Sequence, residues 1–145
     1  MYQHARFTST QFGFFQNRNI HDEAAKFLKR VGLDLPTDTL VGNLPIGKQQ
    51  LVEIAKALSC NARVWIMDEP TSSLSQTETE TLFEVVHDLR RQGISIIYIS
   101  HRLGEVKELA DRVTVFRDGE NAGDLAKDEI NHDAMVRLMV GRDLS

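Results

Sequence analysis

Two short apolar runs that do not alternate with polar residues, Val64-Trp65-Ile66-Met67 and Ile94 to Ser100 (ISIIYIS), set the frame of this chain. A strand that is apolar at nearly every position reads as one covered on both faces, the usual condition of a parallel sheet. Parallel neighbours cannot be joined by a tight hairpin and need a crossover of a dozen or more residues. The sequence between the runs supplies one. Ser75-Gln76-Thr77-Glu78 is a capping box, Leu82, Val85, Val86 and Leu89 follow at helical spacing, and Gly93 closes the helix. Residues 64–100 therefore read as a β-α-β unit.

The flanking segments extend this pattern. A short helix from Leu103 to Ala110 leads to a third strand, Arg112 to Phe116, and Asp118-Gly119 then turns the chain. Asn131 caps a last helix through Met135, Leu138 and Met139. Toward the N-terminus, Ala24, Phe27, Leu28 and Val31 share one helical face that ends at Gly32, and Leu51, Ile54, Ala55 and Leu58 share another. The first nineteen residues, with Phe7, Phe12, Phe14 and Phe15, show no clean period and read as loop. The expectation is an α/β fold in which residues 61–145 build a parallel-sheet core and residues 1–60 form part of a helical lobe.

Composition excludes more than it assigns. At 145 residues the chain can build one domain with a real core. A net charge of −4 argues against a nucleic-acid partner, which calls for a basic face. No apolar run approaches the ~20 residues of a membrane span, and no secretory leader is visible. Cys60 is the lone cysteine and suits a reducing cytosol. His4, His21, His87 and His132 have no evident partners and read as surface residues, and Trp65 reads as strand core.

Chemistry enters at Asp68-Glu69, which follow the first apolar run directly. Ligands of open α/β sheets bind beyond the carboxyl ends of the strands. Four apolar residues followed by an acid is the Walker B pattern, whose aspartate helps hold Mg²⁺ beside nucleotide phosphates. A second acid can orient or deprotonate an attacking water. Two solvated acids feeding a turn is the plainer alternative for the pair taken alone. His101, at the end of the neighbouring strand, comes to the same edge and can donate to a terminal phosphate oxygen.

These residues carry a resemblance. Val64 to Leu74 (VWIMDEPTSSL), with Tyr98-Ile99-Ser100-His101 downstream, resembles the Walker B, D-loop and H-loop of ATP-binding cassette proteins. The wording VEIAKALS, IIYISHRLGEV, RVTVFRDGE and MVGRDLS is most similar to the ATP-binding subunits of monosaccharide importers of the ribose, galactose, xylose and arabinose kind, specifically to the later part of their first cassette. The resemblance implies a P-loop NTPase-like cassette fragment with ATP and Mg²⁺ as cofactors. It gives Asp68 to the metal, Glu69 to the water and His101 to the γ-phosphate. It also implies membrane permease subunits and a second cassette as partners, a periplasmic sugar-binding protein as an indirect one, and a cytoplasmic location on the inner face of the membrane. Leu44 to Lys48 occupies the place of the L-S-G-G-Q signature, so Leu44, Gly47, Lys48 and Gln49, together with Ser72, Ser73 and Leu74 of the D-loop, fall to a nucleotide held by the opposite cassette. The sequence departs from that signature at Pro45, which offers neither hydroxyl nor N–H, and at Lys48.

The resemblance also implies an adenine-stacking loop, a P-loop strand and a Q-loop upstream, none of which this sequence carries. The P-loop strand is expected between the second and third strands, so the chain should be marginal alone or rearrange to close the gap. Three rival readings stand beside this one. Gly42 to Gln49 matches G-x-x-x-x-G-K, but lacks the final Ser or Thr and a preceding strand. The chain could instead be a non-catalytic interaction module. An ATPase of the chromosome-maintenance or repair type calls for long heptads and a basic face, and the sequence shows neither.

Overall fold

The computed structural model of the protein describes residues 16–141. Residues 1–15, His4 among them, and residues 142–145 of the MVGRDLS segment lie outside that range. Helix α1 spans Gln16–Arg30, α2 Ile46–Leu58, and a 3₁₀ turn covers Val41–Asn43. Strand β1 (Val64–Asp68), α3 (Gln76–Arg91) and β2 (Ser95–Ile99) then form the expected crossover unit. They are followed by α4 (Leu103–Leu109), β3 (Arg112–Arg117), β4 (Glu120–Ala126) and α5 (His132–Val140).

Local signals account for most boundaries. Ser75 accepts from the Glu78 N–H while the Glu78 carboxylate takes the Ser75 N–H, the reciprocal capping box that starts α3. Asn131 accepts from Ala134 N–H at the start of α5. Gly32 follows α1 at φ +73°, a left-handed geometry that a side chain would oppose. Helix α1 begins earlier than the periodicity suggests, because the polar residues before Ile20 carry no apolar spacing to read.

β1 and β2 pair in parallel, Val64 opposite Ser95 through Asp68 opposite Ile99. One hydrophobic cluster joins both halves of the chain. Val31, Leu33, Leu51, Ile54 and Leu58 from the helical segment pack with Trp65 and Met67 of β1 and with Leu82, Phe83, Val85, Val86 and Leu89 of α3.

Two expectations are corrected. β3 does not join the parallel sheet. It pairs antiparallel with β4, from Arg112 opposite Ala126 to Arg117 opposite Glu120, with an irregularity between Val115 and Phe116. Asp118-Gly119 is thus a hairpin turn, which puts the following residues beside β3 before any crossover can form. The apolar runs are also not buried on both faces. Trp65 and Met67 are buried, whereas Val64 is 56% and Ile66 69% exposed, and on β2 Ile97 and Ile99 are exposed on the same side. Only one face of the pair is covered by helices among the described residues. β2 and β3 do not pair with each other, and an open groove of about 800 Å³ lies beside β2, lined by Ile94, Ile96, Tyr98, Val106, Leu109 and Arg112 among others.

The alternation of β1 predicts opposite outcomes at adjacent residues. Met67→Ala should destabilise the chain by about 2–5 kcal/mol, whereas Ile66→Ala should change stability by less than about 0.5 kcal/mol. Thermal unfolding of the two variants checks this.

Candidate functional site

The parallel ladder extends one residue past β1. Glu69 N–H donates to Ile99 O at 2.9 Å, so the strand end stays in register while the backbone turns. Glu69 does this at φ +45°, a left-handed conformation unusual for a non-glycine residue. Asp68 keeps the strand's outward direction and is exposed, with no side-chain hydrogen bond or ion pair among the described residues. The reversal at Glu69 carries the second carboxylate across to the next strand end.

There it meets His101. Glu69 Oε1 lies 2.8 Å from His101 Nδ1 and accepts the His101 backbone N–H at 3.1 Å. Glu69 is one-third exposed and His101 73% exposed, so the imidazole faces outward while the carboxylate is half-sheltered. Glu69 Oε2 is buried and has no hydrogen-bond partner. A buried carboxylate oxygen without a donor is uncommon and marks a place where a water or ligand donor fits.

The loop after Glu69 is tied down beneath this pair. Ser72 N–H donates to Glu69 O and Leu74 N–H to Thr71 O, both at 3.1 Å. Thr71 is fully buried, its hydroxyl on Glu105 at 2.7 Å. Ser72 and Ser73 are exposed, Leu74 half-buried. The N-terminus of α2 abuts this loop: a Cβ on Gly47 would lie 2.6 Å from Ser73 O. Lys48, beside it, adds its positive charge near Glu78, whose carboxyl is held below its usual range chiefly by the Ser75 backbone and hydroxyl.

The structure thus brings Glu69 and His101 together beside Asp68, and sets Gly47 against Ser73 of the following loop, while Lys48 lines a separate cavity with Leu33, Thr77 and Glu78. Leu44 and Gln49 form a separate small unit, because Gln49 Nε2 donates to Leu44 O at 2.7 Å and braces the turn before α2. The neighbouring Gln50, which sequence reading passed over, reaches Glu69 O at a long 3.5 Å. The P-loop reading of Gly42 fails structurally: residues 41–43 are a 3₁₀ turn, and among the described residues no strand leads into them. His21 and His132 do have partners, the Thr37 hydroxyl and Asp133. Both pairs are exposed and far in sequence from the strand ends.

Comparison with known proteins bears on this edge. Residues 1–72 match the family described as ABC transporter. The xylose import ATP-binding protein XylG of Photobacterium profundum is 50% identical over 133 residues, 92% of this chain and 26% of that protein. The chain belongs to the ABC transporter family. The ribose import ATP-binding protein RbsA 3 of Rubrobacter xylanophilus is 51% identical over 132 residues, 91% of this chain and 27% of that protein. Among solved structures, MJ1267, an ATP-binding cassette of an ABC transporter, superposes at a TM-score of 0.72 and 26% identity, over 90% of this chain and 52% of that one. The chain therefore spans about a quarter of the length of these sugar-import relatives and half of a solved cassette.

The packing and the burial of this edge have measurable consequences. Gly47→Ala should lower the unfolding midpoint, because the new Cβ meets backbone, whereas Gly42→Ala, with nothing within 4 Å, should be neutral or slightly stabilising. Tyr98, half-buried, has its hydroxyl pKa raised, by burial first and then by its hydrogen bond to Glu105. The folded state thus favours the neutral phenol, so this contribution is complete below the unfolded pKa of about 10 and is lost as pH climbs from there toward the folded value. Tyr98→Phe should flatten that alkaline decline in the thermal unfolding midpoint.

Proposed function

We propose that this segment supplies the water-handling half of an ATP site that powers import of a monosaccharide. The observation that carries the reading is the Glu69–His101 pair at the carboxyl end of two parallel strands, with Glu69 Oε2 buried and unpartnered. Glu69 orients or deprotonates the attacking water, and His101, when both ring nitrogens carry protons, donates from Nδ1 to Glu69 and from its outward nitrogen to a γ-phosphate oxygen. The relatives' names, xylose and ribose import ATP-binding proteins, support both the nucleotide and the cargo class. A cassette related in fold, MJ0796, was solved bound to ADP and Pi.

The residues present fit Mg²⁺ and nucleotide in a specific way. Among the described residues no three His, Cys, Asp or Glu side chains cluster as a metal cage. Asp68 offers one uncommitted carboxylate, which suits an ion that takes one or two protein carboxylates and completes its shell with phosphate oxygens and water. Bound there, the metal supplies charge neutralisation on the phosphates. Gly47 and Lys48 at the start of α2, with Ser72, Ser73 and Leu74, face a nucleotide held by a second cassette, and Leu44 and Gln49 brace that helix start. Permease subunits embedded in the membrane would receive the work of hydrolysis, and a periplasmic sugar-binding protein would deliver the cargo. The site then lies on the cytoplasmic face, in keeping with the fact that no described helix is long and apolar enough to cross a membrane.

Titration of ATP into the chain alone should show no saturable binding below about 1 mM, and a micromolar Kd would overturn the reading. In a chimera where residues 20–141 replace the matching segment of a xylose import ATP-binding protein, Glu69→Gln and His101→Ala should each slow ATP turnover by about 10²–10⁴-fold. A variant that keeps most of its turnover removes that residue from the mechanism.

A further inference from the structure

The most heavily hydrogen-bonded side chain near the site bonds, among the described residues, to none of Asp68, Glu69 and His101. Glu105, on α4, is 7% exposed. Its Oε1 accepts the Thr71 hydroxyl at 2.7 Å and Arg102 Nη1 at 3.3 Å, and its Oε2 accepts the Tyr98 hydroxyl at 2.9 Å and the Ser100 hydroxyl at 3.1 Å. Four donors converge on one carboxylate, which has about four acceptor sites to give.

The positions of those donors matter more than their number. Thr71 lies two residues beyond Glu69, in the loop that leaves β1. Ser100 and Arg102 flank His101 on either side, in the turn that leaves β2, and Arg102 N–H donates to the Ser100 hydroxyl at 3.0 Å. Among the described residues, Glu69 and His101 are otherwise joined by their own hydrogen bonds and by the last rung of the ladder. We propose that Glu105 is a positioning residue for this pair: its carboxylate, from beneath, sets the spacing between the loop after β1 and the turn after β2, and so holds Glu69 within reach of His101. A carboxylate suits this task because every one of its partners is a donor. An amide would turn its own N–H groups toward two of them. A tyrosine hydroxyl is a protonated donor at neutral pH, and burial together with the Glu105 hydrogen bond extends that state further into the alkaline range.

This role for Glu105 rests on Glu69 and His101 being the functional pair, but its test needs no nucleotide. The readout is the ¹⁵N resonance of His101 Nδ1 in the labelled full chain, assigned by its loss in His101→Asn among the five histidines. Glu69→Gln gives the reference position for a weakened contact. Glu105→Gln should move the His101 signal at least half of the way to that reference while far-UV circular dichroism stays unchanged. Thr71→Val should move it in the same direction by less, and Thr71→Ser, which restores the hydroxyl, should return it to the wild-type position. If Glu105→Gln does not fold, the Thr71 pair decides alone. A lowered unfolding midpoint with the His101 signal unmoved in every folded variant would make Glu105 merely structural and overturn the proposal. Failure of the chain to bind or hydrolyse ATP leaves this readout untouched, so the two readings fail separately.

Discussion

The hydrogen bond from Glu69 N–H to Ile99 O governs this end of the molecule. It carries the parallel ladder one rung past Asp68 and pins the backbone at the point where its direction changes. In a continuing strand, Asp68 and Glu69 would project to opposite faces, and Glu69 would follow Met67 by two and point into the core. The left-handed turn at Glu69 removes that outcome. Such a conformation costs on the order of 1–3 kcal/mol and persists only where its surroundings hold it. Here they do: the ladder bond precedes the turn, Ser72 N–H closes it onto Glu69 O, and Thr71 is buried on Glu105. The two acids thereby acquire different settings, one open and uncommitted, the other half-sheltered against His101.

The same pair of strands shows why the Glu69–His101 pair stands open to solvent. Parallel strands are ordinarily covered on both faces. Here α2 and α3 cover one, while Val64, Ile66, Ile97 and Ile99 leave the other bare, and the groove beside β2 leaves an edge unpaired. An acid–base pair gains most where water is excluded and dipoles are fixed. His101 at 73% exposure does not have that setting. A further layer over the bare face and a strand along the open edge would enclose the imidazole as well.

Much of this was legible in the sequence, for reasons that differ by element. The crossover unit was readable because its signals are local: a capping box, a helical apolar stripe, a glycine stop. The acid pair and His101 were readable because strand ends converge on one edge in any parallel pair. β4 was not readable, since Glu120 to Ala126 (ENAGDLA) has neither alternation nor β-branched residues and owes its conformation to the hairpin turn and to β3. The bare faces were hidden for the converse reason, because an apolar run states what a strand prefers and not which layers are present to satisfy it. Glu105 was missed because an acid in a short helix looks solvated until Thr71, Tyr98 and Ser100 arrive from two other elements.

The fate of Gly42 to Gln49 shows how a motif can match by spacing and fail by cause. In a phosphate-binding loop the glycines are there to let backbone approach phosphate, and the loop springs from a strand. Here the first glycine sits in open space on a 3₁₀ turn. The second is required by something else, the carbonyl of Ser73, which a Cβ would strike at 2.6 Å. The glutamine in place of the hydroxyl residue turns back to Leu44 O. Gly47 and Gln49 therefore have local structural reasons that involve no phosphate held by the loop itself, and nothing in the structure requires a glycine at Gly42. What the packing of Gly47 on Ser73 does provide is contact between the start of α2 and the loop that leaves Glu69. A charge arriving at that helix start meets Lys48 and, one backbone away, the segment whose Ser72 N–H closes the turn at Glu69. The start of α2 and the loop that leaves Glu69 are thus packed against each other, through Gly47 on Ser73 and Gln50 on Glu69 O.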